Sequence, residues 1–433
     1  MQVVVVGRVG HNYVSFVPLP YKPTYNESLY RAMTVRRKIG LLTGGGDCPG
    51  LNAVIRAATK AAIFLGYEVI GFRKGFEGLA TPTQWIKLDL ENTWNILDQG
   101  GTILGSTNVG RFTAKVGTEQ TRQIPSDLIA DVQNNVAALD IDGLICIGGD
   151  GSLSIAQQLF EAGLPIVGVP KTIDNDLGCT AFSFGFDSAV ACAANALDRL
   201  HTTAASHERV MVLEVMGRHA GWIALHAGIA AGGDVILIPE IPWTYENICA
   251  KIIQRKQMGR QFTLIIVAEG ASLPGGELVT LESLKQNRQT RLGGIGQCVA
   301  DEIQRRLNTE TRCVVLGHLQ RGGSPTYFDR CLATQYGAHA VRLVEEHRFG
   351  EMVCYDPPHI TSIQIEQAVE RISTVDPHGS AVEAARAMGV SFGENPHFKN
   401  PFVKSKFTSS TFVERYNVNL PLASNMDFDD LAY

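Results

Sequence analysis

The sequence has no long apolar run, no recognisable secretion signal and no excess of positive charge. None of its apolar stretches reaches the length of about 18 residues that a transmembrane helix needs. Near the N-terminus, Val3 to Val6 is too short for the apolar part of a signal peptide, and Arg8 follows it closely. The net charge of −5 disfavours non-specific binding to nucleic acid. We therefore expect a cytoplasmic protein that binds neither membranes nor nucleic acid.

Paired cysteines are also missing, although the chain contains nine cysteines. No two of them form a C-x-x-C pair, and several, such as Cys146, Cys192 and Cys313, lie within apolar runs. A disulfide framework or a structural zinc site would need closely spaced cysteines. We expect neither, and a reducing cytosol fits this cysteine usage best.

From Lys38 onward, short apolar runs typical of buried strands alternate with segments of helical periodicity. A chain of 433 residues with 45% hydrophobic content can fill a large core, in roughly two or three domains. The alternation predicts an α/β fold with parallel, doubly wound sheets. Residues 1–37, rich in proline and tyrosine, and the polar residues 394–433 are interpreted as N-terminal and C-terminal extensions.

An acidic loop, Pro170 to Asp176, directly follows an apolar run that predicts a buried strand. Ligands of open α/β sheets bind at the carboxyl ends of the strands, where this loop is expected to lie. Asp174 and Asp176 are two residues apart, and nearby carboxylates often divide their work, one accepting a proton while the other holds a metal. By itself the loop could equally be a polar turn.

Two glycine-rich loops make phosphate chemistry more probable than a polar turn. Gly148 to Ser152 and Thr43 to Asn52 each lie between an apolar run and a helical segment. Glycines allow the backbone to approach a phosphate closely, and the amides at a helix N-terminus favour an anion. Asp150 would repel a bare phosphate, so we expect it to act through Mg²⁺.

Charged residues follow several other predicted strands. Arg218 and Arg321 can bind a phosphate in a bidentate manner, and Glu269 can accept hydrogen bonds from hydroxyl groups. Arg111 lies in a further glycine-rich stretch and could also meet a phosphate. Any one of these arginines could instead form a surface ion pair. The set as a whole indicates a substrate with a phosphate and several hydroxyl groups, that is, a sugar phosphate.

Taken together, these stretches resemble the 6-phosphofructokinase family over roughly residues 38–393. The stretches that carry the resemblance are Thr43 to Asn52, Gly148 to Ser152, Pro170 to Asp176, Val215 to Arg218 and Gly317 to Pro325. The resemblance implies two doubly wound α/β domains with largely parallel sheets and the two substrates in the cleft between them. It divides the chain into a donor-binding domain, residues 38–185 plus 320–372, and a sugar-phosphate domain, residues 186–319 plus 373–393.

The resemblance also implies the reaction, in which ATP phosphorylates the 1-hydroxyl of fructose 6-phosphate and gives fructose 1,6-bisphosphate and ADP. By this likeness Asp174 is the base that removes the hydroxyl proton, and Asp150 and Asp176 bind Mg²⁺. The implied catalytic residues are Asp174, Thr172, Arg218 and Lys171. The implied donor-binding residues are Gly46, Arg111, Gly149, Asp150, Gly151 and Ser152. The implied sugar-phosphate ligands are Thr172, Asp174, Arg209, Met216, Gly217, Arg218, Glu269, Arg312, His318 and Arg321.

Two further expectations follow from the likeness. Arg209 and Arg312 resemble the two arginines that reach into the site of a neighbouring subunit, which implies a homodimer or homotetramer with shared active sites. Asp174 needs no unusual pKa for its role, because the sugar hydroxyl becomes acidic only as the new bond forms.

The donor is the main alternative that the sequence leaves open. Pyrophosphate-dependent members of the family carry aspartate where this chain has Gly151, and lysine at the position of Lys171. Gly151 therefore favours ATP, whereas Lys171 matches the pyrophosphate branch. A lipid or NAD kinase could share the Gly-Gly-Asp-Gly loop, but the acidic loop and the run from His318 to Arg321 argue against it. A non-catalytic, nucleotide-sensing subunit is a further alternative.

Overall fold

The computed structural model describes residues 37–107, 110–112, 115–116, 120–121, 123–281, 291–370 and 372–394. The predicted extensions, residues 1–37 and 394–433, lie outside these described residues except for Arg37 and Glu394. Among the described helices, none combines the length and the apolar character required to cross a bilayer.

The described secondary structure follows the predicted alternation. The strands are β1 (Lys38–Thr43), β2 (Glu68–Phe72), β3 (Trp85–Leu88), β4 (Lys115–Val116), β5 (Gln120–Thr121), β6 (Gly143–Gly148), β7 (Ile166–Pro170), β8 (Val210–Val215), β9 (Val235–Leu237), β10 (Thr263–Ala268), β11 (Thr280–Leu281), β12 (Arg291–Leu292), β13 (Thr311–Val315), β14 (Glu351–Asp356) and β15 (His359–Gln364). The α-helices are α1 (Leu51–Phe64), α2 (Ser126–Ala138), α3 (Asp150–Glu161), α4 (Phe186–His207), α5 (Trp222–Ala230), α6 (Tyr245–Gln257), α7 (Ile295–Leu307), α8 (Tyr327–Glu345), α9 (Ile365–Glu370) and α10 (Ser380–Ala387). Two short 3₁₀ helices cover Gly75–Leu79 and Gly317–Arg321.

A seven-stranded sheet has the order β15-β14-β7-β6-β1-β2-β3. Its five inner strands are parallel, and the two outer strands, β3 and β15, pair antiparallel with their neighbours. Every residue of β6 and β7 is buried, because helices cover both faces of the sheet. This is the reason why these strands appear in the sequence as continuous apolar runs rather than as alternating patterns.

A second sheet has four strands in the order β13-β8-β10-β9, and all three of its pairings are parallel. Strands β8 and β10 lie at its centre and are buried along their whole length. Strand β13 forms an edge and leaves Val314 and Val315 largely exposed. Both sheets belong to one compact unit of the chain.

The two sheets share a continuous apolar core. Residues that point to one face of the large sheet, such as Ile145 and Val167, belong to the same buried cluster as Leu213 and Ile266 of the second sheet. Separate clusters cover the other face of each sheet. Because one core is common to both sheets, their carboxyl ends are held in a defined relation to each other.

The predicted fold class, α/β with doubly wound and largely parallel sheets, is confirmed. The hairpin of β14 and β15 and the edge strand β3 were not predicted. Strands β3 and β15 are only partly buried, and in β14 only Met352 to Cys354 are buried, so these strands lack the long apolar runs of the central strands.

Candidate active site

Three loops meet at one edge of the large sheet because they follow adjacent parallel strands, β7, β6 and β1. The amide of Gly44, after β1, donates a hydrogen bond of 2.8 Å to the carbonyl of Ile147 in β6. The amide of Lys171, after β7, donates one of 2.9 Å to the carbonyl of Gly148. The strand register therefore brings the acidic loop and both glycine-rich loops together.

The loop after β1 lines a cavity of about 320 Å³ together with a second glycine-rich stretch. The lining residues are Gly45, Gly46, Asp47, Thr102, Ser106 and Thr107. Ser152, at the start of α3, packs so closely on this loop that a side chain at Gly44 would lie 2.6 Å from its hydroxyl. The glycines are thus needed for the close approach of the loops, as well as for space around a phosphate.

The N-terminus of α3 carries the second glycine-rich loop. Gly149 is the N-cap residue and Asp150 the first helical residue. The amide of Gly151 donates a bond of 2.5 Å to Oδ1 of Asp150. A side chain added at Gly151 would meet nothing within 4 Å, whereas one added at Gly149 would lie 3.2 Å from the carbonyl of Lys171. Gly151 therefore borders open space that a ligand or a larger residue can enter.

Lys171 is buried, with 4% of its surface exposed, and its ammonium group donates to the carbonyl of Gly46. Burial is the main cause that lowers the pKa of Lys171. Its hydrogen bond ties the loop after β7 to the loop after β1. The lysine consequently has a structural contact in addition to the catalytic role that the resemblance implies.

The acidic loop is held by hydrogen bonds among its own residues. The hydroxyl of Thr172 donates to Oδ1 of Asp176 at 3.0 Å and accepts from the amide of Asp174 at 3.1 Å. Ser183 also stabilises the loop. Its hydroxyl donates to the carbonyl of Thr172 at 2.8 Å, and its amide donates to Oδ1 of Asn175 at 2.9 Å. This network holds the carboxylate of Asp176 and the backbone of Asp174 in place before any ligand binds.

Asp174 has the properties expected of a general base. Its Oδ1 is shielded from solvent and has no hydrogen-bond partner among the described residues. Burial raises the pKa of Asp174, the charges of Asp176 and Glu269 raise it further, and Arg321 and Lys171 oppose the shift. The role predicted for Asp174 does not require such a shift; it arises from burial and from charged neighbours, both of which are set by the tertiary structure.

The pair of Asp150 and Asp176 suits a divalent cation. Burial raises the pKa of Asp176, and the charge of Asp150 adds to this, while the hydrogen bond from Thr172 opposes it. No cluster of three or more His, Cys, Asp or Glu side chains suited to a metal occurs within the described part of the chain. Mg²⁺ does not need one, because it uses one or two carboxylates together with waters and substrate phosphates. Two carboxylates whose negative charges act on each other therefore fit this ion.

The loops after the second sheet face the acidic loop from the other side. Glu269 follows β10, and its charge acts on Asp174. The loop of Met216, Gly217 and Arg218 follows the adjacent strand β8. The two loops are in close contact, since the amide of Gly270 donates to the carbonyl of Gly217 at 3.1 Å and a side chain at Gly270 would lie 2.0 Å from the carbonyl of Arg218.

Arg321 connects the second sheet to the glycine-rich loop after β1. It lies on the 3₁₀ helix Gly317–Arg321 after β13, and its Nη1 donates to the carbonyl of Asp47 at 3.2 Å. Its charge lowers the pKa of Asp174. His318 lies on the same short helix and is exposed. Arg321 is therefore at the junction of the two halves of the site, with His318 at its outer side.

Arg209 and Arg312 bind the same partner, the carboxylate of Glu310. The distances are 2.8 Å from Nε of Arg209 and 2.7 Å from Nη2 of Arg312 to the two carboxylate oxygens of Glu310. More than half of the Arg312 side chain is exposed. Within one chain these arginines form a basic pair at the edge of the second sheet.

Arg111 also has a local partner. Its Nε lies 2.9 Å from Oε2 of Glu77, and its Nη1 donates to the carbonyl of Thr81 at 3.3 Å. The contact of Arg111 with a donor phosphate stays a prediction, because it would require the guanidinium group to be shared with or released from Glu77.

Asp47 and Glu240 were not among the predicted site residues, although both contact loops of the site. The carbonyl of Asp47 accepts from Arg321, and Glu240 accepts from backbone amides next to the loop of Arg218. Glu240 follows β9 directly after Pro239 and Ile238. A carboxylate at the end of a strand was a signal that could have identified it.

Comparison with known proteins places these loops in a family. The phosphofructokinase family model matches residues 38–344. The chain is 47% identical over 359 residues to the ATP-dependent 6-phosphofructokinase of Chloroflexus aurantiacus, covering 83% of this chain and 98% of that relative. It is also 47% identical over 343 residues to a pyrophosphate–fructose 6-phosphate 1-phosphotransferase of Streptomyces coelicolor, covering 78% of this chain and 96% of that relative.

Solved structures agree with this assignment. The crystal structure of Pichia pastoris phosphofructokinase in the T-state matches with a TM-score of 0.66 and 32% identity. The match covers 78% of this chain and 38% of the Pichia chain, so this chain spans less than half the length of that protein. Since the family model covers most of the chain and includes all the loops described above, the chain belongs to the phosphofructokinase family.

Proposed function

We propose that the protein transfers the γ-phosphoryl group of ATP to the 1-hydroxyl of fructose 6-phosphate, giving fructose 1,6-bisphosphate and ADP in glycolysis. The observation that carries this proposal is the shielded Oδ1 of Asp174, which has no hydrogen-bond partner in the described structure. It lies between the glycine-rich loops of one sheet and the Arg218, Glu269 and Arg321 loops of the other. A substrate hydroxyl can supply the missing partner.

The protein accelerates the reaction by positioning groups and by balancing charge. Asp174 accepts the proton of the 1-hydroxyl while the sugar oxygen attacks the γ-phosphorus in line. The bond from that phosphorus to the bridging oxygen breaks, and ADP leaves. A raised pKa makes Asp174 a better proton acceptor than an exposed carboxylate, which suits a general base near neutral pH. Thr172 holds the base and its neighbour Asp176 in place.

On the donor side, the loops of Gly46 and Gly149 to Ser152 bind the phosphates through backbone amides. Asp150 and Asp176 would hold Mg²⁺, which would neutralise part of the phosphate charge. Arg111 contributes a further cation to this side. Lys171 keeps the loop of Gly46 against the acidic loop and adds positive charge behind the phosphates.

On the acceptor side, Arg218, Arg321 and His318 bind the phosphate of the sugar, and Glu269 accepts hydrogen bonds from its hydroxyl groups. Met216 and Gly217 line the sugar. Arg209 and Arg312 complete this site in a neighbouring subunit of a homodimer or homotetramer. The exposed edge of β13 next to Arg312 supports this arrangement, since an unpaired edge and exposed valines suit a contact with a second copy.

ATP is the proposed donor because of the space beside Gly151. The described structure has open room beside Gly151, where the resemblance implies an aspartate in pyrophosphate-dependent members of the family, and that room can take the α-phosphate of a nucleotide. The pyrophosphate-dependent enzyme is the second candidate, since a relative with that name is as similar as the ATP-dependent ones. The proposed donor domain is residues 38–185 plus 320–372, the sugar-phosphate domain is residues 186–319 plus 373–393, and the compartment is the cytoplasm.

A coupled assay of the purified protein tests the function. Fructose 6-phosphate and Mg²⁺ are offered with either ATP or pyrophosphate, and fructose 1,6-bisphosphate is measured. We expect formation with ATP at a much higher kcat/KM than with pyrophosphate. The Asp174→Asn variant, purified in parallel, controls for contaminating kinases. A higher kcat/KM with pyrophosphate than with ATP would make pyrophosphate the donor. No product with either donor would refute the function.

A further inference from the structure

A short segment of chain, residues 372–375, lies between the two halves of the site. Its Ser373 amide donates a hydrogen bond of 2.9 Å to the backbone carbonyl of Asp176. Ile372 forms an antiparallel β-bridge with Leu177, the residue that directly follows the acidic loop. The position of the acidic loop is therefore coupled to the position of this segment.

The same segment is held on its other side by the second sheet. The indole Nε1 of Trp222, the first residue of α5, donates to the carbonyl of Ser373 at 3.1 Å. The amide of Val375 donates to Oε1 of Glu240 at 2.8 Å. Segment 372–375 thus bridges the acidic loop and the loops of the second sheet.

Glu240 holds two backbone segments at once. Besides Val375, its carboxylate accepts from the amide of Gly221, with distances of 2.9 Å to Oε1 and 3.2 Å to Oε2. Gly221 is the N-cap of α5 and ends the loop that starts at Met216. A side chain at Gly221 would lie 2.3 Å from Cβ of Ile238, so the glycine is needed for this contact.

We propose that Glu240 is a positioning residue for the active site. By holding Gly221 and Val375 together, it fixes the loop of Arg218 relative to segment 372–375, and through Ser373 relative to Asp176 and Asp174. In the proposed function, the loop of Arg218 binds the phosphate of the sugar, and Asp174 of the acidic loop deprotonates its 1-hydroxyl. Glu240 itself touches neither substrate. The inference rests on the proposed function, because that function assigns the two loops to the phosphate and to the 1-hydroxyl of one fructose 6-phosphate molecule.

Removing the carboxylate should separate the two loops slightly rather than unfold the protein. A displacement of about 1 Å between reacting groups can lower a rate by about 100-fold. In Glu240→Ala we expect kcat/KM for fructose 6-phosphate to fall about 10- to 100-fold, with KM for ATP changed less than about twofold. Glu240→Gln keeps one acceptor oxygen for both amides, so we expect it to retain activity within about threefold of the wild type.

Asp234→Ala, which likewise removes a carboxylate that accepts from a backbone amide, is the matched control. Asp234 precedes the same strand, β9, at its opposite end, accepts from the amide of Leu264 at 2.9 Å and pairs with Arg255 at 2.5 Å. We expect this variant to lower the melting temperature as Glu240→Ala does, with wild-type kcat and KM. Wild-type kinetics in Glu240→Ala, an equal kinetic loss in Asp234→Ala, or no rescue in Glu240→Gln would each overturn the proposal.

A measurement without turnover separates this inference from the proposed function. Hydrogen–deuterium exchange of the ligand-free protein should show faster exchange in Glu240→Ala at peptides that contain Gly221, Ser373 and Val375. Peptides from the acidic loop should also exchange faster, whereas those from β6 should be unchanged. Faster exchange together with an inactive wild type would refute only the function. Unchanged exchange at the acidic loop, with an active wild type, would refute only the role of Glu240.

Discussion

The hydroxyl of Thr172 donates a hydrogen bond of 3.0 Å to Oδ1 of Asp176, and thereby connects two residues that the proposed mechanism gives to different substrates. The hydroxyl oxygen of Thr172 also accepts a hydrogen bond from the amide of Asp174. One threonine therefore holds both the backbone of Asp174 and the carboxylate of Asp176. Five predictions follow from this arrangement and from the loops around it.

Replacing Thr172 tests the hydrogen bonds rather than the size of the residue. Thr172→Val has the same shape but can neither donate to Asp176 nor accept from Asp174. We expect kcat to fall about 10- to 100-fold, since misplaced catalytic groups lose rate at this scale. Thr172→Ser keeps the hydroxyl and should stay within about fivefold of the wild type. Equal kinetics of the valine and serine variants would contradict the prediction.

Asp174→Asn tests the base. The variant keeps the shape of the side chain but cannot accept the proton, so we expect turnover to fall about 10²- to 10⁴-fold. The KM values for ATP and fructose 6-phosphate should change far less, and both are measured by steady-state kinetics. Near-normal turnover would exclude Asp174 as the base.

The raised pKa of Asp174 also predicts a pH-dependent effect on stability. Because the folded-state pKa lies above the ordinary value of about 3.9, the folded state binds more protons between these two values, and stability is lost as the pH rises through that interval. Asp174→Asn escapes this loss. Without ligands, its melting temperature should exceed that of the wild type at pH 8, by a few degrees, and the difference should vanish as the pH falls towards about 4.

The control for this experiment is Asp198→Asn, which removes an exposed carboxylate of α4. We expect its melting curve to follow that of the wild type across the same pH range. A melting temperature of Asp174→Asn below that of the wild type at pH 8 would show that Asp174 stabilises the fold in its charged form.

Arg312→Ala tests the shared site. Charge-assisted hydrogen bonds contribute about 1.5–3 kcal/mol, so KM for fructose 6-phosphate should rise about 10- to 100-fold, with little change for ATP. Mixing this variant with Asp174→Asn under subunit exchange should restore activity, because a hybrid site has both residues intact. Arg305→Ala, an exposed arginine paired with Glu302, is the control and should behave as the wild type. Absence of any recovery in the mixture would argue against sites shared between subunits.

Gly151→Asp tests donor choice. The open space at Gly151 admits the side chain without a clash, so the effect should arise from its charge. An aspartate there would repel and displace the α-phosphate of ATP, and we expect kcat/KM for ATP to fall more than about 100-fold. Activity with pyrophosphate should rise, since Lys171 is already present. Gly151→Asn, of equal size without the charge, should lose much less, and an equal loss would show that volume rather than charge excludes ATP.

The sequence was sufficient to predict the central part of the fold. Strands such as β6 and β7 are buried on both faces, so their apolar runs are continuous and easily recognised. The hairpin of β14 and β15 was missed, because β15 is at most partly buried, only three residues of β14 are buried, and the pairing of the hairpin depends on contact with β7. Local composition gives little information about a strand whose burial is set by distant parts of the chain.

For the site, the sequence by itself determined which chemical groups meet. Asp150, Asp174 and the glycines follow parallel strands, and the carboxyl ends of parallel strands lie at one edge of a sheet. The tertiary structure alone decided the charge state and the connections of these groups. Burial raises the pKa of Asp174, Lys171 is tied to Gly46, and Glu240 joins two segments that are more than 130 residues apart. Burial and contacts between distant residues arise only when the chain packs, so no local pattern in the sequence could have revealed them.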